Sequence, residues 1–145
     1  MNILVHILTL GMLYVPSYDK ILHNVHNSGD MEYYLSYFNY AHDKSIDDQW
    51  RTPQESIQAR SIDCEDFAIL VYEVLTNKGY DCSIYGLYWN NKNTGHCIIS
   101  YQKGTDYGFF SNDVRYCGVD VHIKLNEADT YFEYDWKVRR KYVRK

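Results

Sequence analysis

The side chains of this sequence that could carry out chemistry converge on one cysteine and one histidine. Cys64 is flanked by Asp63, Glu65 and Asp66. From there Phe67, Ala68, Val71, Val74 and Leu75 follow at helical spacing, with Ile69 and Leu70 widening the apolar stripe. The pattern predicts a centrally buried helix within 61–79, capped by Ser61 or Asp63 and stopped by Gly79. A thiol in the first turn faces unsatisfied N–H groups and the positive end of the helix dipole, both of which lower its pKa. The three carboxylates pull the other way, so a reactive thiolate needs an imidazolium brought from elsewhere in the fold. Without one, Cys64 is a buried structural cysteine.

His96 is the histidine placed to serve. It opens a predicted strand, 96–102, and an antiparallel sheet packed on the cysteine helix can bring that end over the helix N-terminus. A third residue holding the other ring nitrogen should come from the next strand, opposite His96. The hairpin register decides which residue that is. Closure at Lys103-Gly104 brings up Ser111, a turn centred on Gly104 brings up Asn112, and closure at Gly104-Thr105 brings up Asp113. Asn and Asp both accept the ring N–H, and Ser orients less firmly. His23, His26 and His42 have no partner spacing and read as surface or boundary residues.

The elements that position these groups follow from the punctuation of the chain. Residues 2–15 are apolar without the Lys or Arg flank and small-residue cleavage site of a signal peptide, and too short to span a bilayer, so a buried N-terminal element is expected. Helices are predicted over 18–27, with Ile21, Leu22 and Val25 inward, and after Asp30, with Met31, Tyr34, Leu35 and Phe38 on one face. Thr52, Pro53 and Glu55 open a short helix leading into the cysteine helix. Beyond Gly79 the period becomes two: strands are expected at 80–89, 96–102, 107–112 and 114–125, forming an antiparallel meander. Residues 126–142 are read as a closing helix carrying Tyr131, Tyr134, Trp136 and Val138, with a strand as the alternative.

Length and composition fit one domain over 1–145: an N-terminal helical part (1–49), a catalytic core (50–125) and a C-terminal segment (126–145). With 145 residues, 46% of them apolar, a single core can be built. Net charge is −4, although the last nine residues hold six basic side chains and no acidic one. That tail reads as a solvated end rather than a nucleic-acid contact, and the sixteen tyrosines read as core and groove lining. The cysteines, at 64, 82, 97 and 117, lack Cys-x-x-Cys spacing. Free thiols in a reducing, cytoplasmic setting are expected. Zinc held by His96, Cys97, Cys82 and Cys117 is disfavoured because adjacent strand residues face opposite sides.

Taken together, Trp50-x-x-Pro53-x-Glu55, Asp63-Cys64-Glu65-Asp66-x-Ala68 and Gly95-His96 resemble the transglutaminase-like superfamily of papain-type thiol enzymes. The match, over roughly 50–113, is similar in particular to the bacterial transglutaminase-like cysteine proteinases. The resemblance implies an α+β fold, with a central cysteine-bearing helix packed on an antiparallel sheet, Cys64 as nucleophile and His96 as general base and acid. It departs from the pattern at Ile62, where Gly is usual, at Cys97, and at Ser111, which stands at the usual Asp position. The expected third member is therefore Asn112, which adds no further charge beside the carboxylates, with Asp113 the alternative. Gln58 is a candidate oxyanion donor. Asp63, Glu65 and Asp66 read first as capping groups. Calcium, which acidic residues of this block bind in some relatives, is a further possibility and no cofactor is required. The expected activity is thioester chemistry on a protein or peptide amide. The alternative is a catalytically silent domain of the same fold that binds a peptide or an acidic partner.

Overall fold

The computed structural model describes residues 14–42, 50–92, 94–138 and 140–143, so the expected element at 2–15 lies almost wholly outside the described residues. Ser17 caps α1 (Tyr18–Asn24) by accepting the Lys20 N–H. Asn27 caps α2 (Ser28–Leu35) by accepting the Asp30 N–H, so Asp30, the expected cap, sits in the first turn instead. The two-residue strand β1 (Asn39–Tyr40) follows. Thr52 and Glu55 form a reciprocal capping box at the start of α3 (Pro53–Ala59). Arg60, in the left-handed conformation at φ 64°, then turns the chain into β2 (Ser61–Ile62), which pairs in parallel with β1.

Asp63 ends that short strand and caps α4 (Cys64–Asn77) by accepting the Asp66 N–H at 3.2 Å. Gly79, at φ 82°, supplies the left-handed stop after α4. The chain then runs through β3 (Asp81–Trp89), β4 (Thr94–Lys103), β5 (Asp106–Ser111), β6 (Val114–Cys117), α5 (Val121–Leu125), β7 (Thr130–Asp135) and β8 (Arg140–Val143). These six strands form one sheet in the order β6-β5-β4-β3-β7-β8, each neighbouring pair antiparallel. This is the expected α+β architecture, with the cysteine helix against an antiparallel sheet.

Two expected elements differ. Residues 114–125 are not one strand: Gly118, at φ 72°, ends β6, and Asp120 caps α5 by accepting the His122 N–H. Residues 126–142 form a strand pair rather than a helix. Phe132 and Tyr134 share one face of β7, and the edge of β3 takes them in register, Gly86 opposite Phe132 and Ile84 opposite Tyr134.

The sheet is covered on both faces. On one, α4 buries Phe67, Leu70, Val71 and Val74 against Ile84, Cys97, Ile99, Tyr101 and Phe110. On the other, Val121 and Leu125 of α5 pack with Leu87, Ile98 and Phe109. The four cysteines are free, and the register places Cys82 opposite Tyr101 and Cys97 opposite Gly86, so no bridge joins them. Among the described residues no helix is long and apolar enough to cross a membrane.

Candidate functional site

Cys64 enters the first turn of α4 because Asp63 fixes the start of that helix, and its side chain is 6% exposed. The thiol donates to Glu65 Oε2 at 3.1 Å. Burial, then the charge and hydrogen bond of Glu65, push the thiol well above its ordinary pKa. Asp63 adds to the rise, and a Cys97 backbone N–H directed at the sulfur offsets part of it. Burial and the carboxylates thus stand against the helix dipole, and the thiol is bonded to one of those carboxylates.

The neighbouring carboxylates are engaged structurally. Asp66, fully buried, accepts the Arg51 backbone N–H at 3.0 Å and its guanidinium at 2.5 Å. Asp63 holds the α4 cap, and burial together with the charges of Asp66 and Glu65 lifts its carboxyl to about 7. Calcium asks for six to eight oxygen ligands. Here both Asp66 oxygens face Arg51 and Glu65 Oε2 faces the thiol, so calcium would have to displace these partners to be held by Asp63, Glu65 and Asp66. Among the described residues no three His, Cys, Asp or Glu side chains are grouped to hold a metal ion.

His96, near the start of β4, is half-buried, and its Nε2 lies 2.8 Å from Ser111 Oγ. Burial, then Lys124 and His42, hold its pKa below the usual histidine value. The expected place of Asn112 opposite His96 is corrected by the register. Gly104-Thr105 closes the hairpin, pairing Lys103 with Asp106 and running to Ile98 opposite Ser111. Extended, that register would bring Asp113 across from His96. The strand stops first, because Asn112, at φ 54°, and Asp113 form the two-residue turn that pairs Ser111 with Val114. Ser111 therefore reaches His96 along the diagonal. Asp113 is exposed, and Asn112 Oδ1 is buried without a hydrogen-bond partner.

Glu65, His96 and Cys97 share a cleft of about 240 Å³ with Trp50, Gly86, Tyr88, Gly95 and Phe132. Among the described residues the hydrogen-bond partner of Cys64 is Glu65 and not His96. Gln58 instead lines a separate cleft with Ser17, Tyr18, Asp19, Gln54 and Ile57. Two neighbours escaped the sequence reading. Tyr40, whose hydroxyl is raised to about 12 by desolvation and then by Cys64, reaches the site through the parallel β1–β2 pairing, a long-range contact no periodicity announces. Lys124 acts on His96 from α5, where a strand had been expected.

A helix-borne cysteine set against an antiparallel sheet is the arrangement that the resemblance implied. The Transglutaminase-like domain family matches residues 15–142, and the chain belongs to it. Solved structures of Legionella pneumophila LapG share the fold. A calcium-bound form is 18% identical at a TM-score of 0.62, covering 87% of this chain and 75% of LapG. An EGTA-treated form is 16% identical at 0.56, covering 90% and 87%, and a third structure is 17% identical at 0.53, covering 89% and 88%. Among curated proteins, none matches the chain.

Proposed function

We propose that this domain is a thiol-dependent enzyme acting on amide or peptide bonds of a protein or peptide substrate, with Cys64 as nucleophile and His96 as proton carrier. The observation that carries the reading is the common cleft: Glu65, bonded to the Cys64 thiol, and His96, held by Ser111, both line it. With Nε2–H donated to Ser111, Nδ1 of a neutral imidazole is the atom that takes the thiol proton, so His96 works as a general base on a thiol rather than beside a preformed thiolate. Sulfur attack forms a tetrahedral oxyanion. The Cys64 and Glu65 N–H groups, in the first turn of α4 and without intrahelical acceptors, are the donors placed for it. Its collapse breaks the C–N bond, the imidazolium returns the proton to the leaving amine, and water or another amine releases the acyl group from sulfur.

One observation favours the second reading, a catalytically silent peptide-binding domain: the resting thiol is bonded to Glu65 and not to His96. Exposure to a mixed-sequence peptidyl chloromethyl ketone pool, read by mass spectrometry, separates the two. Enzyme chemistry requires capture at Cys64 that His96→Ala lowers by about a hundredfold. Absence of capture, or capture indifferent to His96, establishes the silent domain.

A further inference from the structure

The chain segment that follows α2 returns to the nucleophile. β1 runs parallel to β2, with Tyr40 opposite Ile62 and the Ala41 N–H donated to the Ile62 carbonyl at 3.0 Å. Residues 39–42 therefore travel beside the short strand that delivers Cys64 to the start of α4. Two side chains of that segment meet. The Tyr40 hydroxyl lies 3.2 Å from both ring nitrogens of His42, and the rings stand edge to face at 5.1 Å between centroids. Tyr40 is 42% exposed, so a substrate can reach it.

Each member of this pair touches the electrostatics of a different half of the site. Desolvation is the main cause that lifts the Tyr40 hydroxyl to about 12, and the charges that add to it are, in order, those of Cys64, Asp63 and Glu65. These residues are consecutive at the start of α4, so the phenol stands at the turn that carries the nucleophile. His42 acts in turn on His96. Gln58, the side-chain oxyanion donor expected from the sequence, lines a different cleft. A phenol suits the position it leaves. It is neutral, and its raised titration keeps the proton on oxygen at neutral pH, so it can donate even beside Asp63 and Glu65. With His42 donating a ring N–H to the phenol oxygen, the phenol O–H remains for a second acceptor.

We infer that Tyr40 is a further catalytic residue, whose hydroxyl donates to the oxyanion formed when Cys64 attacks a carbonyl, and that His42 is the positioning residue that holds this hydroxyl. The inference rests on the proposed thiol chemistry and names one more group in it. Sulfur attack forms the S–C bond and moves the carbonyl π pair onto oxygen. The Tyr40 O–H, together with the Cys64 and Glu65 N–H groups, bonds to that oxygen without giving up its proton. The pair then returns to re-form the carbonyl as the leaving group departs.

The test compares two small reagents on the whole chain, p-nitrophenyl acetate and iodoacetamide, with modification at Cys64 followed by peptide mass spectrometry and the exposed Cys117 as reference. Acetylation passes through a tetrahedral oxyanion, whereas iodoacetamide is displaced at a saturated carbon and forms none. Tyr40→Phe keeps the ring and removes the donor, and should lower the ratio of acetylation to alkylation at Cys64 by about tenfold or more. His42→Ala should lower the same ratio by about threefold through lost orientation, and it decides the matter if the Tyr40 variant fails to fold. A ratio unchanged in these variants, whether both rates hold or both fall together, overturns the role of Tyr40 and leaves the thiol chemistry to the backbone donors. Failure of the unaltered chain to be acetylated at Cys64 overturns the thiol chemistry itself, and the role of Tyr40 falls with it.

Discussion

Ser111 Oγ sits 2.8 Å from His96 Nε2, diagonal to it across the β4–β5 pair rather than opposite. A hydroxyl orients the ring without offering charge to an imidazolium, consistent with a His96 pKa held below the usual value. Ser111→Asp is expected to raise that pKa by about one unit or more, measured by NMR titration of the ring. Ser111→Ala should leave the pKa nearly in place and lower electrophile capture at Cys64 by about tenfold through lost orientation. A Ser111→Asp ring that titrates unchanged would show that the carboxylate does not reach His96.

The bond from Cys64 to Glu65 makes a second prediction. Removing the Glu65 charge takes away the largest electrostatic contribution to the raised thiol pKa. Glu65→Gln should therefore speed iodoacetamide alkylation of Cys64 at neutral pH by about tenfold, with the exposed Cys117 as an internal reference. In the unaltered chain Cys117 should react before Cys64. A Cys64 rate that does not respond to Glu65→Gln would mean that burial alone sets the thiol pKa.

Asp63 gives the stability a pH dependence whose sign is fixed. Its folded pKa, about 7, lies above the ordinary carboxyl value of 3.8, so between these limits the folded chain holds a proton that the unfolded chain releases. The Asp63 contribution is fully present below pH 3.8 and is lost as pH rises toward 7. Asp63→Asn keeps a capping oxygen and removes the titration. Thermal melts should show this variant gaining stability over the parent as pH rises from about 4 to about 8, and parallel pH profiles would refute the assignment.

Arg51 is the counter-charge of a fully buried carboxylate. Arg51→Ala strands Asp66 and should cost about 3 kcal/mol or more in denaturant unfolding, with Arg51→Lys between the two because it loses the fork geometry. A loss under about 1 kcal/mol would indicate that water reaches Asp66 and screens it as at a surface.

The parts of this molecule legible in the sequence are those set by neighbours in the chain. The Thr52, Pro53 and Glu55 signature gave the capping box, and the apolar stripe after Asp63 gave α4, because each is decided within a few residues. The family was legible through the block around Cys64. What was not legible depended on distant pairings. Tyr131 to Tyr134 became a strand because β3 had an edge to fill. Asn112 missed His96 because the hairpin closed at Gly104-Thr105, a register that puts position 113 across from His96, and the turn at Asn112 then ended the strand before Asp113 could pair. The state of the Cys64 thiol could be posed from sequence only as a contest, since the Glu65 side chain had to be seen bonded to it.

The place of Ser111 in the sheet has a consequence in time. β4 lies between β3 and β5 and beneath α4, but its pairs with β5 end at Ile98 opposite Ser111, so His96 is held in the ladder by β3 alone. Ser111 belongs to the final pair of β5 with β6, a four-residue strand at the sheet border. Border pairs open locally and far more often. His96 and Ser111 thus both stand where the β4–β5 ladder ends, and the imidazole should be released from its holder by local opening more often than by unfolding of the domain.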